Sequence, residues 1–415
     1  MNMLPAFNPN PSLIRAVTAE AEQSREWLVN LCARMVAAES VNPPGATASM
    51  ARVVEEALEA LGLPSERVEQ DAMAPNVVSF LRAAKPGRHV VFNAHMDTML
   101  AGDESKWSVP ILTLTRKDGR LYGLGMGNMK GALAAMLLAM KIVRERLPDL
   151  AGRLSLTAVS DEVMFGTRGT PYLLQQRPDL LGDYMISGEG PGWMNFAIAE
   201  KGLLWLDIHA EGEGGHASRA LCGQTAVAKL SRFIAELDAW NTTFAKIPPE
   251  LEGVEGGEGD AGLRLSVSVG HLNAGEVRSL IPSTAHAKAD MRIPPGVDMP
   301  ALKTRIDALA NACGVKVVYT KGWPASWAPL ASDLARSISA AAEGVRGSAP
   351  SFVVRLPGSD ARYWRERGVL AACYGPQPTL SSGIDDYAEE RDILDCAAIY
   401  ALAAMALMSP SDLRG

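Results

Sequence analysis

The stretch Val90-Val91-Phe92-Asn93-Ala94-His95-Met96-Asp97-Thr98 joins an apolar run to a polar pair, His95 and Asp97. This pattern is typical of a strand in an α/β protein, because the carboxyl ends of such strands present ligand-binding side chains. A histidine there can bind a metal ion, and a carboxylate two residues later can orient its ring. Alone, the stretch is more typical of a strand-end histidine held by a local aspartate.

Two later apolar runs also end in carboxylates. Leu154–Val159 precedes Asp161 and Glu162, and the next predicted strand precedes Glu189. If these strands share one α/β frame, the carboxylates and His95 gather at one place, where they could bind a divalent metal ion. The alternative is a set of strand-end carboxylates that face solvent.

The bulk composition restricts the class of protein. The chain has 415 residues, which indicates two domains or one domain with a large insertion, and 47% of its residues are apolar. A formal net charge of -7 argues against nucleic acid or an anionic membrane as the main partner.

The five cysteines are scattered and form no CxxC pair, so we expect buried free thiols in a reducing compartment. We see neither a signal peptide nor an apolar run long enough to span a membrane, and therefore expect a cytoplasmic protein.

The order of elements changes near residue 200. Helical spacing runs through 12–40, and helices and strands then alternate up to about residue 199. Residues 200–322 read β-α-β-β-α-β, which is the ferredoxin-like split βαβ unit, and the α/β pattern resumes afterwards. We therefore predict a catalytic domain formed by 1–199 and 323–415, with 200–322 inserted as a second domain.

A glycine-rich stretch, Gly123–Gly131, precedes a strong helix predicted to begin at Ala132. It lacks the Gly-Lys-Ser/Thr of a phosphate-binding loop, so we do not expect a nucleotide there. We expect the glycines at these positions to let the backbone approach a site closely.

Seven segments, in order and spacing, resemble the M20 family of metallopeptidases and acylases. They are Asn93–Thr98, Gly123–Gly131, Ser160–Glu162, Ser187–Glu189, Gly214–Ser218, Ile281-Pro282 with Ala289–Arg292, and Gly358–Arg362. The resemblance covers almost the whole chain. It implies an α/β fold: a Zn-peptidase-like catalytic domain with a mixed sheet, and an inserted ferredoxin-like α+β lid domain that mediates dimerisation. It also implies hydrolysis of an amide C–N bond at a pair of metal ions.

The family pattern is incomplete at the metal ligands. The resemblance places His95 and Glu189 at one metal, but the bridging aspartate is replaced by Asn128. Val163 stands where the second metal should have its glutamate, and no histidine stands near Ser382. A bridging carboxylate offsets the repulsion between two divalent ions about 3.5–4 Å apart. We therefore predict one weakly held ion, Zn²⁺ or Mn²⁺ with Co²⁺ as a further option, bound by His95 and Glu189 with Asn128, water or substrate completing the shell.

The same resemblance suggests the catalytic roles. Glu162 is the expected general base and Asp97 orients His95. In an alternative register Glu162 is a ligand and Asp161 is the base. The family also implies that His216, on the lid, reaches the partner subunit's site and stabilises the developing negative charge. The plainer reading of His216 is a residue of a glycine-rich turn.

Two further residues are candidates for substrate binding. Arg292 suits a substrate carboxylate, because a guanidinium forms paired hydrogen bonds with it; the alternative is an ion pair with Asp290. Ser359, in the Gly358–Arg362 segment, and Asn128 are the other candidates for contact with substrate.

These assignments leave three functions open. The first is a single-metal hydrolase that cleaves a C–N bond of a small carboxylate-bearing substrate. The second is a specialised aromatic aminohydrolase of the 5-nitroanthranilate type, which replaces an aryl amine by hydroxyl through nucleophilic aromatic substitution. The third is an inactive M20-like protein that binds a small carboxylate or a partner. Reading Gly202–Ala210 as a long edge strand, we also expect a homodimer through the lid domain, with higher assembly open.

Overall fold

The computed structural model describes residues 10–192, 194–257, 260–378 and 383–409. Its α-helices are α1 Pro11–Gln23, α2 Arg25–Ala37, α3 Ala48–Ala60, α4 Gly131–Arg144, α5 Thr170–Gln176, α6 Ala226–Asp238, α7 Met299–Cys313, α8 Asp333–Arg346, α9 Ala361–Arg365 and α10 Glu390–Met408. Its strands are β1 Ser65–Val68, β2 Asn76–Arg82, β3 Lys85–His95, β4 Thr115–Lys117, β5 Arg120–Tyr122, β6 Ala151–Val159, β7 Tyr184–Ser187, β8 Phe196–Glu200, β9 Gly202–Glu211, β10 Gly215–His216, β11 Ser266–Ala274, β12 Leu280–Ile281, β13 Thr284–Ile293, β14 Val315–Trp323, β15 Ser326–Trp327, β16 Phe352–Arg355, β17 Leu370–Cys373 and β18 Tyr387–Glu389.

The N-terminal helical region differs from the prediction of one helical stretch. α1 ends before Ser24 and α2 starts after it, because Ser24 has ψ near 5° and interrupts the helical backbone. The apolar spacing continues through this break, so periodicity alone does not reveal it. Each helix buries its own apolar side, with Val17 in α1 and Met35 in α2 fully inaccessible to solvent.

The chain divides into two compact units. The first comprises 1–198, 327–352 and 359–415, and the second comprises 199–326 and 353–358. The domain bounds inferred from the sequence stay predictions.

The first unit contains most of a mixed sheet whose strand order is β1-β2-β6-β3-β7-β17-β8-β15. Within it β6, β3, β7 and β17 run parallel, whereas β2 is antiparallel to β6. The α/β class with a mixed sheet is therefore as predicted.

Two apolar helices, α4 and α10, pack against each other and against β3 and β6. Met126–Arg144 is long and apolar enough to span a membrane, but 89% of that window is buried inside the protein. Our expectation that no apolar run reaches this length was therefore wrong. A helix buried on all sides is apolar all round, so a core helix and a membrane helix can share a composition.

The second unit contains a four-stranded antiparallel sheet in the order β11-β13-β9-β14. This is the strand order of a split βαβ unit, with α6 and α7 packed on one face. On β9, Leu206 and Ile208 are fully buried, and they join a core that includes Phe233 of α6 and Ile306 of α7. The side chains that alternate with Leu206 and Ile208 point to the opposite face, which neither α6 nor α7 covers.

The expectation that β9 is an edge strand was wrong. β9 pairs with β13 along one side and with β14 along the other. The order of the strands explains this. The chain passes from β9 through α6 to β11, which lies beyond β13, and from β13 through α7 to β14, which lies beyond β9. Both β9 and β13 are therefore central. The edges of this sheet are β11 and β14.

All five cysteines are free thiols, as expected. Four of them are buried, but Cys222 is exposed, which corrects the expectation that all are buried. Cys222 lies in the glycine-containing segment between β10 and α6, where little of the chain covers it.

Candidate metal centre

Three neighbouring parallel strands place the predicted polar residues at one edge of the sheet. His95 is the last residue of β3 and pairs with Val159, the last residue of β6. Asn93 of β3 pairs with Ser187, the last residue of β7. The segments that follow β6 and β7 therefore emerge beside His95, and they carry the two glutamates.

The structure brings His95, Glu162 and Glu189 together. Each offers a ligand atom, and these atoms lie within 4.8 Å of one another. The Nε2 atom of His95 is 3.8 Å from Oε2 of Glu162. All three side chains are buried, and the buried Oε1 of Glu162 has no hydrogen-bond partner in the described part of the chain.

The electrostatics of this cluster show a deficit of positive charge. Burial, and then the neighbouring Glu189 carboxylate, raise the pKa of Glu162 well above its usual value. Burial alone would lower the pKa of His95, but the hydrogen bond with Asp97 and the charges of Glu162, Asp97 and Glu189 outweigh it and raise that pKa to about 10. Two buried carboxylates that repel each other and share one imidazole form a site that a cation would stabilise.

His95 is held in place mainly through Asp97. Its Nδ1 atom is 2.8 Å from the Asp97 carbonyl oxygen and 3.5 Å from Oδ1 of the Asp97 carboxylate. The carboxylate in turn accepts hydrogen bonds from the backbone N–H groups of Glu162 and Val163, at 3.2 and 3.0 Å. Asn42 donates from Nδ2 to Oδ2 of Asp97 at 2.8 Å. Asp97 thus ties the end of β3 to the loop that carries Glu162.

Replacing Asn42 should loosen this network. The Asn42 side chain also donates to Asp161, at 3.2 Å, so Asn42→Ala leaves two buried carboxylates each short of a donor. We expect a loss of about 1–3 kcal/mol in the free energy of unfolding, measured by denaturant titration. Asn311→Ala is the control, because Asn311 is exposed on α7 and its loss should cost no more than about 0.5 kcal/mol. Equal stability of the two variants would contradict this role for Asn42.

The Asp161 carboxylate binds Arg168. Its carboxylate accepts hydrogen bonds from Nε and Nη2 of Arg168, both at 3.2 Å, and from the Arg168 backbone N–H. The residue also has φ of 60°, which turns the chain sharply before Glu162. This arrangement favours Glu162 over Asp161 as the group that faces the cluster.

The glycine-rich stretch closes around Asp386. The backbone N–H groups of Gly125 and Gly127 donate to the Asp386 carboxylate, at 2.8 and 3.2 Å. The close approach that we expected at this stretch is therefore to Asp386. Asn128 follows in a kinked turn before α4, where Met129 has φ of 96°.

An alanine at position 127 should disturb this turn. Its Cβ atom would lie 2.6 Å from Oδ1 of Asp386 and 2.7 Å from the Tyr387 carbonyl oxygen. We expect Gly127→Ala to lose about 1–3 kcal/mol of stability, in thermal or denaturant unfolding, because the backbone must move to remove the overlap. In contrast, a Cβ at Gly270 on β11 meets nothing within 4 Å, so Gly270→Ala should be neutral. A fully stable Gly127→Ala protein would show that the turn has room to spare.

Asp360 is a buried carboxylate that our sequence analysis did not assign to the site. Burial, the largest effect, and the charge of Glu189 raise the pKa of Asp360 to about 6, while a hydrogen bond of 2.6 Å from Thr170 Oγ1 and the charges of Arg362 and His95 oppose the rise. Its neighbour Ser359 is also buried, and Ser359 Oγ accepts from the Ala361 N–H at 3.2 Å. Asp360 is therefore a fourth carboxylate in the cluster's surroundings, beside Glu162, Glu189 and Asp97.

The family model for peptidase family M20/M25/M40 matches residues 91–406, about three quarters of the chain. The chain belongs to this family. It is therefore a hydrolase that acts on carbon–nitrogen bonds. The resemblance predicted from the motifs is confirmed.

One relative in sequence and two solved structures give the extent of the likeness. The chain is 26% identical over 334 residues to succinyl-diaminopimelate desuccinylase of Halorhodospira halophila, covering 77% of this chain and 84% of that protein. Human carnosine dipeptidase 1 superposes with a TM-score of 0.77 at 14% identity, covering 97% of this chain and all of the other. A dinuclear metal-binding M20 peptidase from Bacillus subtilis has a TM-score of 0.66 at 13% identity, covering 93% and 99%. These structures share the fold with this chain.

Membership of the M20 family implies a divalent metal ion, and the cluster fits one. An imidazole nitrogen and carboxylate oxygens, all buried, are the donors that Zn²⁺ and Mn²⁺ accept. Glu162 Oε1, which is buried and has no hydrogen-bond partner in the described ranges, is an added sign that a positive group belongs here. The position near Ser382, where the family has a late histidine, lies outside the described residues.

Two predicted site residues, His216 and Arg292, belong to the second unit. His216 is exposed on β10, and its Nδ1 lies 2.8 Å from Ser218 Oγ. Arg292 on β13 donates from Nε and Nη2 to the Asp290 carboxylate, at 2.7 and 3.0 Å. The ion pair that we considered as the alternative for Arg292 is therefore present, and both substrate roles stay predictions.

Proposed function

We propose that this M20 enzyme hydrolyses a C–N bond of a small carboxylate-bearing substrate with the help of a single divalent ion. The observation that carries the proposal is the buried cluster of His95, Glu162 and Glu189 in a chain of this family. His95 and Glu189 would hold the ion, with Asn128, water or substrate completing its shell. When bound, such an ion supplies Lewis-acid activation and lowers the pKa of water toward about 7.

Glu162 would act as the general base. Its Oε1 atom is buried, has no hydrogen-bond partner in the described residues, and can accept a proton from the attacking water. Burial raises the pKa of Glu162 above its usual value, and a carboxylate with a higher pKa is a stronger base. Asp97 would keep His95 in one orientation and one tautomer, with Nδ1 donating to the Asp97 carbonyl oxygen.

The proposal of one ion, where the family has a pair, rests on the residues at the family's ligand positions. Asn128 offers a neutral oxygen where the family has a bridging carboxylate, and the Val163 side chain offers no ligand atom. The Val163 backbone N–H instead donates to Asp97 at 3.0 Å, so this position helps to hold Asp97. A single ion with a shell that substrate completes fits this set of residues better than a pair of ions.

Two substrate classes are compatible with the site. An N-acyl amino acid follows the desuccinylase relative, whose name denotes removal of a succinyl group. An activated aryl amine that also bears a carboxylate is the second class, and the loss of ligands at Asn128 and Val163 favours it, because substitution on an activated ring needs only one delivered hydroxide. Arg292 would bind the substrate carboxylate in either case, after exchanging its partner Asp290. Ser359 stays a candidate for contact with the substrate.

We further propose a homodimer through the lid domain, in which His216 of one protomer stabilises charge in the site of the other. His216 is exposed and its ring is bonded only locally, to Ser218, among the contacts of the described chain. With β9 in the centre of its sheet, the edges available for pairing between protomers are β11 and β14. We place this reaction in the cytoplasm, on the strength of the free cysteines.

The test is a turnover assay on chelator-treated protein to which Zn²⁺, Mn²⁺ or Co²⁺ is returned. N-acyl amino acids and nitroanthranilate-type aryl amines are offered in parallel. Metal-dependent release of amine or ammonia from one class supports the proposal and identifies the bond. Full turnover by the chelator-treated protein, or no turnover of either class with any metal, would overturn it.

A further inference from the structure

The second unit carries a cluster of imidazole and carboxylate groups on the face of its sheet that α6 and α7 do not cover. His209 on β9 lies directly opposite His286 on β13, and their rings stack with centroids 4.6 Å apart. Asp207 precedes His209 by two residues and shares its face, because strand side chains alternate. The ring of His271, on β11, is centred 5.7 Å from that of His286. Three of the six histidines of the chain therefore meet at this place.

We propose that Asp207, His209 and His286 form a second metal site, for a divalent transition ion of the Zn²⁺ type. One ligand atom from each residue lies within 4.8 Å of the other two. Bonds of about 2.0–2.1 Å in a tetrahedral shell bring donor atoms to about 3.3 Å from each other. Side chains that are half-buried or exposed can close this gap by small rotations. Imidazole nitrogens with one carboxylate oxygen suit Zn²⁺, Cu²⁺ and Ni²⁺ rather than Mg²⁺ or Ca²⁺.

His286 gives the strongest indication of a ligand. Its Nε2 atom is buried and has no hydrogen-bond partner in the parts of the chain that are described. Oδ2 of Asp207 lies 3.9 Å from this nitrogen, too far for a hydrogen bond. A buried polar atom without a partner is costly, and an ion between the two groups would satisfy both.

Two lysines lie on the same face of the sheet, where their positive charges oppose the binding of a metal ion. Lys288 Nζ is 4.0 Å from Oδ2 of Asp207, and Lys316 stands opposite His209 in the register of β14 with β9. The Lys288 side chain is 58% exposed, so it can turn to solvent when an ion binds. It nevertheless competes for Asp207, and the site should therefore bind more tightly without it.

The experiment separates this site from the catalytic cluster by substitution. Zn²⁺ is titrated calorimetrically into chelator-treated His95→Ala protein and into the same protein carrying His286→Gln. We expect His95→Ala to retain one equivalent of bound Zn²⁺, which the double variant lacks. Equal Zn²⁺ binding by the two proteins would overturn the proposal. If His95→Ala does not fold, as judged by circular dichroism, wild type and His286→Gln are compared, and the same loss of one equivalent is expected.

Lys288→Met adds an independent readout. The positive charge of Lys288 lies about 4 Å from the Asp207 carboxylate and repels Zn²⁺. Removing that charge should tighten Zn²⁺ binding about fivefold. Lys303→Met, on α7 and away from this sheet face, is the matched control and should leave the affinity unchanged. An affinity that Lys288→Met does not change would remove Asp207 from the set of ligands and contradict the site as proposed.

Discussion

Glu162→Gln should lower kcat by about 10²–10⁴-fold while the bound divalent ion stays in place. The amide has nearly the shape of the carboxylate but cannot accept a proton from water. His95 and Glu189 remain, so the ion retains its two anchoring ligands. The measurement pairs steady-state kinetics on the active substrate with elemental analysis of the same protein sample.

The outcome distinguishes the two roles open to Glu162. If Glu162→Gln loses the ion as well as the activity, Glu162 is a ligand. Asp161→Asn is the companion variant: it weakens the contact with Arg168 and lowers stability, but it should leave most of kcat. A collapse of kcat in a stably folded Asp161→Asn protein, with Glu162→Gln still active, would move the base to Asp161.

His95→Ala should reduce metal affinity at the catalytic cluster by more than about 10²-fold. Replacing a residue that only contacts a metal ligand already lowers metal affinity by about 10–100-fold, and the loss of the ligand itself should cost more. Activity should fall with the bound ion and return in part at high metal concentration. His89→Ala is the matched control, since His89 lies on the same strand and bonds Ser155 at 2.9 Å. We expect that control to keep its metal, and equal loss of metal in both variants would point to damage to β3 as a whole.

The location of the cluster could be predicted from the sequence because three separate apolar runs end in polar residues. Strand periodicity gives the faces, and parallel pairing brings the ends of β6, β3 and β7 to one edge. His95, Glu162 and Glu189 each follow or end one of these strands. Local pattern and one general rule of α/β proteins were therefore enough to bring these residues together.

The supporting residues could not be predicted in the same way. Asn42 lies in a proline-rich loop, 55 positions before Asp97, and Asp360 bonds Thr170 across 190 positions. Contacts of this kind depend on the tertiary fold and leave no periodic signal. The central place of β9 likewise follows from pairing with β13 and β14 far along the chain, although the split βαβ order could have indicated it.

The most direct test of the single-ion account is the number of divalent ions that the catalytic cluster holds. Elemental analysis is carried out on His286→Gln protein, which lacks the site proposed for the second unit, with and without the active substrate. We predict a single ion per chain, which His95→Ala in the same background removes. Two ions per chain would contradict the account and show that Asn128 and Val163 do not prevent a metal pair.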